Sequence, residues 1–338
     1  MNFVINIILF PLFMIYLLVI CIRNYLFDIE LFKSTKLPCK IISVGNISVG
    51  GTGKTPTVIA LAAFLQQQNN SVAILSRGYG RKSSGIQLVT DGKTAEANWE
   101  KVGDEPTLMA KQLSNIPIVV DENRVRGGKY LLNKFNPEII ILDDGFQHRK
   151  IHRDIDIVLI NSNMSKISKR IFGFTNYREP WKSLKRAHLI FLTKSTFIAP
   201  SVKLLEKLKS IGLPVIKTDI MTQSYLLGAK NNKVDINCFS EKTALIFSGI
   251  GDYKSFENTV QTLKINILDS INFSDHNKYS KSDIERIRNR FIKTGAEIII
   301  TTEKDFLKFD KVDLPIYTIP IIMNIGKDGY NQIQHHLN

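Results

Sequence analysis

The residues Ser48-Val49-Gly50-Gly51-Thr52-Gly53-Lys54-Thr55 have the types and spacing to do phosphate chemistry. They follow an apolar run, Ile41–Val44, and precede a helix-like stretch from about Thr57. Strand, glycine-rich loop, Lys-Thr and helix form the context that a phosphate-binding loop requires. The glycines let the backbone curl so that its N–H groups face phosphate oxygens, and the helix N-terminus adds partial positive charge. In such a loop Lys54 bridges the β- and γ-phosphates of a nucleotide, and the Thr55 hydroxyl holds Mg²⁺. The first position of the strict pattern is Ser48 rather than glycine. The bland alternative is a glycine-rich turn before an ordinary helix.

A second segment fits the other half of such a site. Ile139–Leu142 is an apolar run that ends in Asp143-Asp144, and a strand of this kind delivers a carboxylate to the metal shell. Asp143 is the expected Mg²⁺ partner. By itself the pattern is weak, because many strands end in Asp by turn preference. Gly145-Phe146-Gln147-His148 continues into a turn, and His148 reads either as a turn histidine or as a functional one. Arg77, Tyr79 and Arg81 follow another apolar run, Val72–Leu75. Arginine binds phosphate bidentately, so these residues are expected to point into the site. Arg124 and Arg178 are further candidates, and each could equally be a solvated surface charge.

The elements that must position these residues are strands alternating with helices. Cys39–Val44, Val72–Leu75, Ile116–Val120, Ile139–Leu142, Ile155–Ile160 and Leu189–Leu192 are short Ile/Val/Leu runs. Between several of them lie helix-like stretches such as Thr57–Gln68 and Thr107–Leu113. Near-continuous apolar strands separated by helices indicate a parallel sheet covered on both faces. Ligands of open α/β sheets bind outside the carboxyl ends of the strands, where the polar residues cluster here. A second α/β set begins later, with strands at Ala244–Phe247, Glu297–Ile300 and Ile316–Ile319 and a helix at Lys281–Arg290. Asn231-Asn232 within Leu226–Ile236 marks a hairpin linker.

The fold class is therefore α/β: a P-loop NTPase-like parallel-sheet domain, a second smaller α/β domain and an N-terminal apolar membrane helix. The expected divisions are a membrane-associated helix and connector over 1–36, a P-loop core over 37–222, a hairpin linker over 223–240 and a C-terminal domain over 241–338.

Composition narrows the partners. The 338 residues suit two domains, and 44% apolar with 22% charged residues excludes global disorder. A net charge of +14 suits an anionic partner. Three cysteines without CxxC spacing exclude a disulfide scaffold and a Cys-rich zinc site. Phe3 to Ile22 carries no charge and as a helix would span about 30 Å, a bilayer core. Whether it spans or lies in the interface stays open, as does a buried core helix. Arg23, Lys33, Lys36 and Lys40 follow it, a bias that keeps the bulk of the chain cytoplasmic. Lys166 to Arg186 interleaves seven basic residues with Phe172, Phe174, Tyr177 and Trp181. That stretch is a solvated basic surface with core aromatics or a second membrane-facing patch.

The motif set as a whole resembles the tetraacyldisaccharide 4'-kinase family, the lipid A 4'-kinases of Gram-negative bacteria. The resemblance rests on Val44–Pro56 and, in order, on Ser76-Arg77-Gly78-Tyr79-Gly80-Arg81, Val102-Gly103-Asp104-Glu105-Pro106 and Leu142–His148. Phe273-Ser274-Asp275-His276 and Thr301-Thr302-Glu303-Lys304-Asp305 complete it. It covers almost the whole chain, and Ser at the first loop position is usual in the family. It implies two α/β/α domains with ATP and Mg²⁺ in the cleft between them. It also implies transfer of the γ-phosphoryl to the 4'-hydroxyl of an acylated glucosamine disaccharide 1-phosphate at the cytoplasmic face of the inner membrane. Asp104 matches the family's catalytic base and His276 the histidine paired with it, which would orient the carboxylate and raise its basicity. The local alternative for Asp104 is a helix N-cap, since Pro106 sits just inside a helix start. Arg77, Tyr79, Arg81, Asp144, Gln147, His148, Arg124 and Arg178 are then the expected substrate-binding residues. Membrane lipids are expected partners, and neither a nucleic acid nor an obligate protein partner is expected. Two other classes remain: a membrane-associated P-loop ATPase or switch acting through a protein partner, and a basic nucleic-acid-dependent ATPase.

Overall fold

The computed structural model describes residues 2–48, 50–94, 98–164, 177–195, 198–228, 232–309 and 313–337, with side chains omitted at 2–10, 12 and 13. Val49, the hairpin turn at Asn231 and most of the basic-aromatic stretch, 165–176, lie outside the described residues.

Among the described residues the strands form two sheets. The first has nine strands: β1 (Lys40–Asn46), β2 (Val72–Ser76), β3 (Gln87–Thr90), β4 (Ile118–Val120), β5 (Ile139–Asp143), β6 (Ile155–Asn161), β7 (Leu189–Thr193), β8 (Val215–Thr222) and β15 (Ile321–Asn324). Their order is β15-β8-β7-β6-β1-β5-β2-β4-β3. The pairs from β8 through β4 are parallel, and the two edges, β15 on β8 and β3 on β4, are antiparallel. The sheet is thus mixed rather than wholly parallel. Its central strands are buried on both faces, β5 and β2 at every residue, which explains their unbroken apolar runs. On one face pack α5 (Arg124–Phe135), through Leu131, and α6 (Val202–Lys209), through Leu204 and Leu208. On the other packs α2 (Lys54–Gln67), which buries Val58, Leu61, Ala62 and Leu65. That spacing puts them on one helical stripe, and each large side chain contributes roughly 1.5–3 kcal/mol.

The pairing of β1 with β5 places Val44 beside Asp143. The loop that leaves β1 therefore starts next to the carboxylate that ends β5, and β2 on the far side of β5 brings Ser76 to the same edge. The central strand carries the phosphate loop because hydrogen bonding across the sheet fixes these neighbours.

The second sheet holds β9 (Tyr225–Leu227), β10 (Lys233–Asp235), β11 (Thr243–Ser248), β12 (Asn266–Asn272), β13 (Ile298–Thr302) and β14 (Ile316–Ile319), in the order β10-β9-β14-β13-β11-β12. Helix α7 (Tyr253–Thr262) lies against one face, and α8 (Lys281–Thr294) lies against the other through Ile287. A Ser280–Asp283 capping box starts α8, which runs past the expected end at Arg290. The β9–β10 pair is antiparallel, and β9 also pairs with β14, so both strands belong to this sheet.

Residues 321–337 differ from the expected C-terminal domain. Strand β15 returns to the first sheet, and α10 (Gly326–Leu337) packs there through Ile333. The chain crosses between the sheets twice, after β8 and after β14, and the Gln223 N–H donates to the Pro320 carbonyl at the crossing. Ile319 belongs to the smaller core, and Met323 to the larger.

At the N-terminus α1 (Asn2–Asp28) is a helix. Ile20 and Asn24 are buried, while Met14, Ile15, Leu18, Val19, Ile22 and Tyr25 are exposed. Among the described residues no helix is long and apolar enough to cross a membrane. The C-terminal end of α1 is fastened to the first unit: Asn24 Nδ2 donates to Glu179 Oε2 at 3.0 Å, and Arg149 donates to the Asn24 carbonyl at 2.9 Å.

Candidate functional site

The loop after β1 is built for a tight turn into α2. Gly53, the residue before the helix, has φ of 87°, a left-handed value that L-residues with a Cβ avoid, and a Cβ there would stand 2.9 Å from Met323 Cε. Asn46 Nδ2 donates to Thr52 Oγ1 at 2.9 Å, tying the loop to its own strand. Helix α2 starts at Lys54 rather than near Thr57, so Lys54 and Thr55 lie on its first turn. The backbone N–H groups of that turn have no partner inside the helix and are free for an anion. Ser48 forms a bridge with Tyr177 instead of facing the cleft.

Asp143 and Asp144 divide two tasks. Asp143 is buried, its Oδ2 accepts from Ser76 Oγ at 2.8 Å, and its Oδ1 has no hydrogen-bond partner. Burial, reinforced by the charges of Glu105 and Asp144, pushes its carboxyl above the usual carboxylate range. Asp144 has φ of 53° and turns the other way. It sits 3.5 Å from Lys54 Nζ through Oδ1 and 2.6 Å from Arg178 Nη1 through Oδ2. Burial opposes its ionisation, but Lys54 and Arg178 outweigh that and lower its pKa.

A loop from the second strand and one from the smaller unit complete the wall. Helices α3 (Trp99–Val102) and α4 (Asp104–Gln112) are separated by Gly103, whose φ is 101°. A Cβ at Gly103 would stand 3.1 Å from the Tyr79 carbonyl, so the glycine lets the two loops touch. Asp104 is the first residue of α4, not its cap; its Oδ1 accepts the Glu105 N–H at 2.9 Å. Its Oδ2 faces His276 Nδ1 at 3.0 Å and Lys308 Nζ at 3.0 Å, with Lys304 Nζ at 3.9 Å. Burial works to raise the Asp104 pKa. The His276 hydrogen bond and the charges of Lys304 and Lys308 win, holding the carboxyl well below its usual range. The expectation that His276 raises the basicity of Asp104 is therefore reversed here. His276 has φ of 58° and packs its ring 5.0 Å from that of Tyr79. Its Nε2 lies 3.2 Å from Lys304 Nζ. An ammonium can only donate, so Nε2 is the acceptor there and Nδ1 carries the proton toward Asp104.

One cleft of about 360 Å³ joins these groups, running from Gly50–Thr55 past Tyr79, Glu105, Asp144 and Arg178 to His276 and Lys304. Lys194, which follows β7, and Asp252, which caps α7, form an ion pair across it.

The arginines behave differently from one another. Arg178 lines the cleft. Arg81 does not: its guanidinium is held by Glu122 and by the Gly85 carbonyl at 2.8 Å. Arg77 is exposed and outside the cleft lining. Arg124 is buried, 3% exposed; Nη1 donates to the Asp121 carbonyl, and Nε and Nη2 have no partner. Burial lowers its pKa to about 10, against the raising effect of Asp143 and Asp144. Gln147 Nε2 donates to the Asn46 carbonyl at 2.8 Å, bracing the phosphate-loop strand. Burial, then the charges of Arg124, Arg77 and Arg23, pushes His148 down to about 3, so its ring is neutral.

Sequence reasoning left Asn46, Glu105, Lys304 and Lys308 unassigned. Three of them stood inside motif segments, Asn46 in Val44–Pro56, Glu105 beside Asp104 and Lys304 in the Thr-Thr-Glu-Lys-Asp run. Lys308 stood outside every such segment.

A central parallel strand, a glycine-rich Lys-Thr loop, a following helix and a carboxylate on the adjacent strand define a P-loop phosphotransferase. Its model of the Tetraacyldisaccharide-1-P 4'-kinase family matches residues 5–338, and the chain belongs to that family. It is an ATP-dependent kinase that phosphorylates the 4'-hydroxyl of a lipid A precursor. The chain is 39% identical over 307 residues to the tetraacyldisaccharide 4'-kinase of Chlorobaculum tepidum, covering 89% of this chain and 86% of that one. It is 38% identical over 302 residues to that of Aquifex aeolicus, covering 89% of each. A crystal structure of the Aquifex aeolicus LpxK in complex with ATP superposes with a TM-score of 0.80. That pair is 34% identical over 99% of this chain and 100% of that one.

Proposed function

We propose that the acceptor is a tetraacylated glucosamine disaccharide 1-phosphate and that the cleft divides the labour of phosphoryl transfer among named residues. The observation that carries this is the convergence of Lys54 and His276, from different sheets, on one cleft. The loop from Gly50 to Thr55 holds the ATP phosphates. Lys54 is steered by Asp144, which stays ionised between Lys54 and Arg178, so two cations stand where charge develops on the transferring group.

Thr55 and Asp143 would hold Mg²⁺. The buried, unpartnered Oδ1 of Asp143 suits a cation or its water. Among the described residues no three His, Cys, Asp or Glu side chains form a metal site alone, as suits an ion shared with phosphates and water. When bound, the ion draws negative charge from the phosphate oxygens.

The 4'-hydroxyl loses its proton to the Asp104–His276 pair. Asp104 remains a carboxylate and fixes the ring through Nδ1, and His276 presents Nε2 at the cleft once Lys304 yields that contact to substrate. Arg124, with two unsatisfied buried nitrogens, and neutral His148 supply donors for an anionic or hydroxyl-rich sugar. The exposed apolar side chains of α1, followed by Arg23, Lys33, Lys36 and Lys40, seat the chain on the cytoplasmic face of the inner membrane.

The test is transfer of label from γ-labelled ATP to tetraacyl disaccharide 1-phosphate in detergent micelles, with the product mapped to the 4' position. Lipid-independent ATP hydrolysis without transfer would instead favour a P-loop ATPase acting through a protein partner.

A further inference from the structure

Lys308 follows the short helix α9 (Glu303–Phe306) in the smaller unit, and no part of the reading above uses it. Its side chain is 1% exposed. A buried ammonium is expensive to hold unless paired, and its one carboxylate partner among the described ion pairs is Asp104 Oδ2, at 3.0 Å. The rings of Trp99 and Tyr279 lie 5.9 and 6.0 Å from Nζ, so aromatic faces from both units wall the cation in. Lys308 does not line the cleft, so it touches Asp104 from behind while His276 touches it from the front.

We propose that Lys308 is a positioning residue for phosphoryl transfer: its buried ammonium pins the Asp104 carboxylate, and through it the tautomer and orientation of His276. This rests on the reading of Asp104 and His276 as the proton-accepting pair. The groups around the Asp104–His276 pair are His276, Lys304 and Lys308 on Asp104 itself, Asp275 on His276, and Glu105 on Lys304. Lys304 lines the cleft and is shared with Glu105 at 3.3 Å. Among the described ion pairs Lys308 has no second acid, so the pairing recorded for its charge is with Asp104. A carboxylate held by a cation at this distance stays ionised and keeps accepting Nδ1–H, which leaves Nε2 as the basic nitrogen.

The experiment uses the full chain with Lys308→Met and Lys308→Gln, reading kcat against pH with saturating ATP and micellar acceptor, alongside ATP KM and thermal unfolding. Removal of a cation from a carboxylate raises its pKa by about 1–3 units. With the cation gone the pair binds a proton more readily, so the acidic limb of kcat should move to higher pH in whichever variant folds, with ATP KM within about twofold of wild type, because Lys308 does not line the cleft that holds the phosphate loop. In an Asp104→Asn background, Lys308→Met should lower kcat no further, since groups acting as one unit lose their effect once.

An acidic limb that stays in place in a folded variant, or a kcat loss that is just as large in the Asp104→Asn background, overturns the proposal and leaves Lys308 a packing residue. Failure of the underlying reading has a different signature: Asp104→Asn alone would keep near-normal kcat.

Discussion

Asp104 and His276 are 172 positions apart and belong to different sheets, yet Asp104 Oδ2 and His276 Nδ1 stand 3.0 Å apart. Nothing local produces that contact. Gly103 admits Asp104 to the edge of the first sheet, and a left-handed His276 brings the ring in from the second. A left-handed conformation costs a non-glycine residue about 1–2 kcal/mol, so the surrounding structure holds His276 against its own preference. Asp104→Ala is expected to lower kcat by about 10²–10⁴, the usual worth of a positioned acid–base group. His276→Ala should also lower kcat, and the double variant should be scarcely worse than Asp104→Ala. A double-mutant cycle on kcat at saturating ATP measures this. Fully additive losses would show that the two act independently.

The same contact makes a stability prediction with a definite sign. The folded-state pKa of Asp104 is depressed, so its ion pairs contribute stability above the unfolded value of about 3.9. That contribution is lost as pH falls through the folded value. Thermal unfolding should therefore stay supported by Asp104 down to about pH 4 and weaken below it. Asp104→Asn should be less stable at neutral pH, because it strands the Lys308 ammonium, and its melting temperature should depend less on pH in the acid range. Equal acid dependence in wild type and variant would contradict the assignment.

Arg124 offers a trade between stability and function. Its buried Nε and Nη2 have no hydrogen-bond partner among the described residues, and an unsatisfied buried polar group costs about 1–3 kcal/mol. Arg124→Met removes that cost while keeping most of the volume. The variant should unfold at the same temperature or higher, while its KM for the lipid acceptor rises by about tenfold or more, the loss of one charged hydrogen bond. Unchanged acceptor KM would mean that the guanidinium faces no ligand.

What the sequence made legible follows from how local the signal is. The phosphate loop reads directly because Gly53, Lys54 and Thr55 are consecutive and their chemistry needs no partner elsewhere. The central strands read directly because burial on both faces leaves an unbroken apolar run. Strand β15 is hidden because its partner β8 lies about 100 residues earlier, with Met323 opposite Ile220, and four residues carry no pattern of their own. The place of Arg81 after a strand carries no mark of Glu122, 41 positions on, which holds it in the folded chain. Lys304 and Lys308 were mute for the converse reason, since their meaning is Asp104, on the other sheet.

Among the described contacts, those of the N-terminal helix gather at its C-terminal end. Arg23 and Asn24 reach the buried Glu179, which Arg186 also holds at 2.8 Å, and Glu179 adjoins Arg178 in the cleft. Upstream of Arg23 the described polar contact is Tyr16 Oη donating to the Arg178 carbonyl at 3.0 Å, while Met14, Ile15, Leu18, Val19 and Ile22 face outward. Deleting residues 1–22 therefore keeps the Asn24–Glu179 fastening and removes the outward apolar face. An apolar helix acts mainly by partitioning, at about 25 cal/mol per Å² of buried apolar surface. The truncated chain should bind ATP with near-normal affinity and unfold within a few degrees of the full chain. Its association with anionic vesicles and its turnover of micellar acceptor should both fall, with the loss expressed mainly in acceptor KM. Flotation with vesicles and steady-state kinetics on the same preparation check the two halves together. A truncated chain that floats fully with vesicles places the anchor elsewhere, and the basic segment 166–186 is then the surface to alter.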